Sequence, residues 1–237
     1  MNILEIAMVV ASYLIGAIPT GFLLVKKLAK IDVRTVGSGK TGGTNVRRAL
    51  AKAGCTHPRE WAWLVIVIDA LKGFAISAIA MNFFRGSPLI IGLSVFLAVL
   101  GHRVSPWLAF FPSPKPGFWA KFEGGSGVAC FIGVLLPIIA FCGVTYSDYG
   151  IMTLFYFLGL IAVWVWILKK LHLMGLASMA AVSGIFIYFV LLSLFTSFSY
   201  YFSVTLGICA TALLVILNHR KNIIRTWNGK ESKTDLL

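Results

Sequence analysis

Seven apolar runs punctuate the chain, at about Leu4 to Val25, Trp61 to Phe84, Pro88 to Phe111, Gly127 to Val144, Gly150 to Leu168, Leu173 to Phe195 and Tyr200 to Leu217. Each is about 18 to 24 residues long, the length of helix needed to cross a hydrocarbon layer of about 30 Å. They predict seven transmembrane helices. The last two runs meet at Thr196 to Ser199. A single helix through both would overshoot the bilayer about twofold, so a hairpin is expected. The third run has its clean stretch only from Leu89 to Leu100 and then meets Gly101, His102 and Arg103, which predicts irregular backbone at that end.

Composition agrees with the pattern. Hydrophobic residues make up 59% of the 237 positions and charged residues 12%, too apolar a balance for a soluble domain. Met1 and Asn2 lead straight into the first run without a basic region, so that run is expected to be a retained span. Cys55, Cys130, Cys142 and Cys209 have no pair spacing that suggests a disulfide framework or a zinc site. Without internal repeats or linkers, residues 1–237 read as one membrane domain.

The net charge of +13 is distributed unevenly. Lys26, Lys27, Lys30, Arg34, Lys40, Arg47, Arg48, Lys52 and Arg59 follow the first run, while Lys169 and Lys170 follow the fifth and Arg220, Lys221 and Arg225 the last. The even-numbered connections carry only Arg85. Cations accumulate on the cytoplasmic side of membrane proteins, which places the N-terminus outside and the C-terminus in the cytoplasm. The same rule accounts for the basic balance without nucleic-acid binding.

Three polar clusters lie on that basic side. The first, Val36 to Arg48, packs glycines, hydroxyls and cations into a loop that can turn N–H groups toward an anion. Its Gly39-Lys40-Thr41 resembles the end of a P-loop, but Arg34 stands where the first glycine of that pattern belongs. The second, Glu123 to Ala129, is a glycine turn feeding a helix N-terminus, where free N–H groups and the helix dipole favour anions. The third is Asn218 to Arg225, in which helical spacing puts His219 and Asn222 on one face, continued by Arg225. Within the second run, Asp69 and Lys72 are three apart and read as a mutually neutralising pair facing the bundle.

In order, these clusters resemble the PlsY family of bacterial acyl-phosphate:glycerol-3-phosphate acyltransferases over nearly the whole chain. Gly16 to Gly21 resembles its GSIPFG stretch, Gly37 to Arg48 its GSGNxGATNVxR motif, and Asp69 to Gly73 its DxxKG. Leu100-Gly101-His102 matches LGH, Gly124 to Ala129 resembles GGKGVA, and His219 to Ile223 matches HRxNI.

The resemblance implies transfer of a fatty acyl group from acyl phosphate to the sn-1 hydroxyl of glycerol 3-phosphate, giving lysophosphatidic acid for phospholipid synthesis. It implies a bacterial cytoplasmic (inner) membrane location, an active site facing the cytoplasm, and neither metal nor cofactor. Ser38, Arg48, His219 and Asn222 are the expected catalytic residues. Gly37, Gly39, Lys40, Thr44, Asn45, His102, Gly124, Gly125, Ser126 and Gly127 are expected to bind substrate, and Asp69, Lys72 and Glu231 to be structural. Membrane lipids and other lipid-synthesis enzymes are the further expected partners.

Two features depart from the pattern. Ser126 replaces its GGKGVA lysine while Lys40 stands where it has asparagine, which predicts a relocated charge. Phe111 to Trp119 is inserted before the second glycine motif, and its prolines and aromatics suit a stiff segment at the membrane interface. A non-catalytic paralogue that binds phosphorylated lipid precursors or a partner enzyme is the alternative. A transporter fits poorly, because the polar groups gather at one membrane face and not at the midplane.

Overall fold

The computed structural model describes residues 1–145, 147–195, 202–231 and 233; side chains are described outside 142–152 and 194–195. The expected turn at Thr196 to Ser199 and the side chain of Cys142 lie outside the described residues. Among the described residues are ten α-helices: α1 (Ile3–Gly16), α2 (Thr20–Ala29), α3 (Gly43–Lys52), α4 (Pro58–Phe83), α5 (Pro88–Arg103), α6 (Val128–Thr145), α7 (Ser147–Leu171), α8 (Met174–Phe195), α9 (Phe202–Asn218) and α10 (Arg220–Trp227). The described residues contain no strand, only an isolated antiparallel bridge between Val104 and Glu123.

Four helical segments are apolar and long enough to cross a membrane: Ile3–Ala29, Pro58–Phe83, Thr153–Leu171 and Met174–Ser193. A fifth arises if α9 is counted with α10, from which it is bent by 47°. Pro88–Arg103 and Val128–Phe141 are apolar but shorter. The third apolar run is irregular where expected, since α5 stops at Arg103 and the chain continues as a 3₁₀ turn over Pro106–Phe110.

The first run is not the continuous helix that its hydropathy suggests. It breaks between Gly16 and Thr20, because Pro19 has no N–H to continue the ladder. The carbonyls freed at the break are met by side chains from elsewhere. Lys72 Nζ donates to the Ile18 oxygen at 2.9 Å, Ser105 Oγ to Ala17 at 2.6 Å and Trp107 Nε1 to Leu14 at 3.1 Å. Lys72 also pairs with Asp69 at 2.8 Å, so the buried cation neutralises a carboxylate and stitches a helix break together.

Helices α4 and α6 cross backbone to backbone. A methyl group on Gly73 would overlap the Cys130 carbonyl, and one on Gly133 the Ala70 carbonyl. Small residues permit this approach, and dispersion contacts along it hold helices together where lipid offers no hydrophobic drive. Gly133→Val is expected to cost about 1–3 kcal/mol by overpacking. Thermal unfolding in detergent would check it, and an unchanged midpoint would show that the crossing has slack.

Two apolar cores result. The larger joins Ile76, Ile91, Val95, Phe131, Val134, Phe189, Ile208 and Val215 across the bundle. The smaller joins Phe22, Val25, Val33, Val46, Leu50, Val65 and Leu108 beneath the loop that precedes α3. This second core is what gives a glycine-rich segment a fixed platform.

Candidate functional site

The loop from Val36 to Gly42 is built around one buried amide. Asn45 Nδ2 lies 3.0, 2.9 and 2.8 Å from the carbonyls of Val33, Val36 and Lys40, and its Oδ1 accepts from the Ser38 N–H at 3.1 Å. Gly37 and Gly39 take the left-handed conformation, with φ of +53° and +71°, which side chains resist. Asn45 and these glycines therefore shape the loop. Ser38, Lys40, Gly42, Gly43, Thr44, Arg48 and Asn45 itself line the cavity beside it. Thr44 and Arg48 are one helical turn apart on α3, so a single face presents a hydroxyl and a guanidinium.

The glycine turn before α6 is folded back on the end of α5. Gly124 N–H donates to the Arg103 carbonyl and Gly125 N–H to the His102 carbonyl, each at 2.9 Å, so these two donors are spent on protein. A Cβ at Gly125 would collide with the His102 ring, and at Gly127 the backbone has a φ of +93°. The three glycines permit the close turn, while Ser126, Val128 and Ala129 form the cavity wall. His102 is buried and lies 3.7 Å from Asp69 through Nδ1, and both residues reach the wall.

The third cluster sits at the bend between α9 and α10. His219 is buried and its Nδ1 lies 2.8 Å from the Val215 carbonyl. A carbonyl accepts only, so Nδ1 carries the hydrogen and Nε2 keeps its lone pair. Burial, joined by the charge of Lys40 and opposed by the Val215 hydrogen bond, pushes the imidazole down to about 4. His219 is neutral at pH 7, so its Nε2 can accept a hydrogen bond. Asn222 donates to Glu231 at 2.8 Å, which fixes the amide against Gly175 of α8. Arg225 is exposed and apart from this group, because two steps of about 300° from His219 carry it around the helix.

Asn218 ties the three clusters together. Its carbonyl accepts from Lys40 Nζ at 2.8 Å, its Oδ1 from Arg103 Nε, and its Nδ2 donates to the Ser126 carbonyl at 3.4 Å. Arg103 also faces Glu123 at 3.9 Å, and Lys115 reaches the same carboxylate at 2.8 Å. Sequence reasoning includes Glu123 and Asn218 in its polar clusters but gives neither a role, and it passes over Arg103, which adjoins LGH. Adjacency to HRxNI, LGH and the glycine turn is the signal that could have pointed to all three.

The inserted segment is fastened to the first loop. Arg34 donates to the Pro112 carbonyl at 2.8 Å, and Phe111 packs on Phe22 with ring centroids 4.7 Å apart. Phe110, Phe118 and Trp119 are exposed beyond it.

All three clusters open on one cavity of about 560 Å³. Its polar end holds Ser38, Lys40, Thr44, Arg48, Asp69, His102, Ser126, His219, Asn222 and Glu231. Its other end is apolar and runs between α6, α7 and α8, past Ile132, Leu136, Phe157, Trp164 and Val182. A polar mouth thus continues into an apolar groove.

The family model for glycerol-3-phosphate acyltransferase matches residues 6–229. The chain belongs to the glycerol-3-phosphate acyltransferase family. It is 33% identical to the glycerol-3-phosphate acyltransferase of Wolbachia pipientis from Culex pipiens (strain wPip), over 94% of this chain and 95% of that protein. It is 35% identical to the enzyme of that name from Prochlorococcus marinus (strain MIT 9215), over 98% of both. Among solved structures it is similar to PlsY, an integral membrane glycerol 3-phosphate acyltransferase. The glycerol 3-phosphate form matches with a TM-score of 0.72 and 29% identity, and the lysophosphatidic acid form with 0.70 and 28%. Each match covers 97% of this chain and 94% of the other. This member of the family is a multi-pass membrane protein, helical and without strands among the described residues.

Proposed function

We propose that this acyltransferase moves a fatty acyl group from acyl phosphate to the sn-1 hydroxyl of glycerol 3-phosphate, releasing lysophosphatidic acid and inorganic phosphate. The observation that carries this reading is the single cavity whose polar mouth gathers three sequence-distant clusters and whose far end is an apolar groove. Both reactants bear phosphate and one bears an acyl chain, so the two ends of the cavity suit the two halves of the donor. Arg48, Thr44, Ser38 and Asn222 hold glycerol 3-phosphate, with Arg48 contributing a charge-assisted fork.

In the reaction the acceptor hydroxyl oxygen attacks the acyl carbonyl carbon, and the carbon–oxygen bond to phosphate breaks. His219 Nε2 accepts a hydrogen bond from that hydroxyl and aims it. An imidazole pushed down to about 4 is a weak base. The hydroxyl proton therefore ends on the departing phosphate, whose oxygens gain basicity as the bond breaks. No acyl-enzyme forms on Ser38 in this scheme.

The topology follows the charge distribution: one domain of seven spans over residues 1–237, N-terminus outside and C-terminus inside, in the bacterial cytoplasmic membrane with the cavity mouth facing the cytoplasm. Cysteine labelling from each side of intact vesicles tests that arrangement. For the chemistry, purified protein is supplied with glycerol 3-phosphate and either acyl phosphate or acyl-CoA. Lysophosphatidic acid and phosphate are expected in equal amounts from acyl phosphate alone. Activity with acyl-CoA only, or a stable acyl-Ser38 adduct, would overturn the scheme.

A further inference from the structure

We propose that Lys40 supplies the cation that binds the donor's phosphate, at the junction between the polar mouth and the apolar groove. This assignment rests on the acyl-transfer reading above and deepens it.

Two side chains with permanent or near-permanent positive charge line the cavity among the described residues, Arg48 and Lys40. The neighbouring cations are engaged outside its wall: Arg103 with Asn218 and Glu123, and Lys115 with Glu123. Lys40 Nζ has three hydrogens and gives one to the Asn218 carbonyl at 2.8 Å. That acceptor is neutral. The nearby carboxylates have other partners, Glu123 bonding Lys115 at 2.8 Å and Glu231 accepting from Asn222 through Oε1 at 2.8 Å. A half-buried ammonium that lines a cavity and has no ion-paired carboxylate among the described residues is completed by a bound anion.

Its position selects which anion. Asn218 touches Lys40 through its carbonyl and Ser126 through its amide, so the ammonium stands beside the start of α6. From Ser126 the cavity wall follows α6 through Ala129, Ile132 and Leu136 to Ile139, about 15 Å of helix with an apolar face. An acyl chain laid along that face leaves its phosphate at Ser126, which is uncharged. The side chain of Lys40 brings in the missing charge from the first loop. Arg48, on α3, belongs to the glycerol 3-phosphate site in the reading above.

Burial, then the charge of Arg103 and that of Lys221, press the ammonium down to about 8 against the pull of Glu123 and Glu231. His219 also faces it and is neutral in this range. The charged form exists below that value and is lost as pH rises through it. Donor affinity is therefore expected to weaken above about pH 8.

The test measures KM for acyl phosphate and for glycerol 3-phosphate separately. Lys40→Asn is expected to raise the acyl-phosphate KM about ten- to a hundredfold, the value of one charge-assisted hydrogen bond, with a far smaller change for glycerol 3-phosphate. Ser126→Lys added to Lys40→Asn is expected to recover most of the loss. Lys40→Arg is expected to keep the neutral-pH KM within a few fold and to abolish its alkaline rise, since guanidinium does not titrate there. An active Lys40→Asn with unchanged acyl-phosphate KM overturns the proposal, as does a rise confined to glycerol 3-phosphate. Should Lys40→Asn not fold, an alkaline rise that persists in Lys40→Arg overturns it equally. Wild-type protein that makes no lysophosphatidic acid from acyl phosphate sinks the acyl-transfer reading, and this assignment with it. A failure of the Lys40 variants alone leaves that reading intact.

Discussion

His219→Ala is expected to lower kcat about a hundredfold or more while leaving the acyl-phosphate KM within a few fold. Losing the orientation of an attacking group costs about 10²-fold, and this imidazole is held in one tautomer by the Val215 carbonyl at 2.8 Å. Its Nε2 is therefore an acceptor at every pH above about 4, where the ring would charge. Nothing in this geometry requires His219 for donor binding, so the defect belongs in turnover. Steady-state kinetics on detergent-purified variant checks it, with thermal unfolding to confirm that the fold persists. A kcat within threefold of wild type would remove His219 from the reaction. Glycerol 3-phosphate analogues lacking the sn-1 hydroxyl should bind wild type and variant with similar affinity, because the imidazole bonds only to that hydroxyl.

Asp69→Ala is expected to destabilise the protein by about 3–5 kcal/mol, the usual cost of stranding one member of a buried ion pair. Asp69 and Lys72 are both buried, 2.8 Å apart, and Lys72 holds the Ile18 carbonyl at the helix break. Removing the carboxylate leaves an ammonium inside the bundle with a neutral oxygen as its partner. The double variant Asp69→Leu, Lys72→Met is expected to regain much of that stability, since apolar replacements need no desolvation compensation. Unfolding in detergent, followed by temperature or denaturant, measures both. If single and double variants are equally destabilised, the stranded charge is not the cause. Activity gives a second readout, because Asp69 also faces His102 at the cavity wall. The double variant is expected to be stable yet impaired.

The insertion illustrates how far a linear pattern carries. Its prolines and aromatics announce a stiff interfacial piece, and its Phe118 and Trp119 are exposed. Its attachment to the first loop, through Arg34 and the Pro112 carbonyl, joins residues that no spacing rule relates. Glycines behave similarly. A glycine-rich turn before a helix reads as an anion site, yet Gly124 and Gly125 spend their N–H groups on α5 and leave Ser126 to face the cavity.

What the sequence determined by itself is whatever depends on local composition. Run length and hydropathy specify an all-helical chain in lipid, Gly101 marks irregular backbone, and the order of the polar motifs identifies the family. These signals are legible because solvent, helix periodicity and backbone chirality act on neighbouring residues. Only the tertiary structure decided which members of each motif meet. Asn45 is consumed inside its loop, Asn218 connects three clusters, and the apolar groove is assembled from faces of α6, α7 and α8 that carry almost no amphipathic signal. In a membrane bundle lipid-facing and groove-facing residues are alike in polarity, so hydropathy cannot tell them apart. Close packing of glycine-lined helices and directional hydrogen bonds make that choice, and both exist only once the chain has folded.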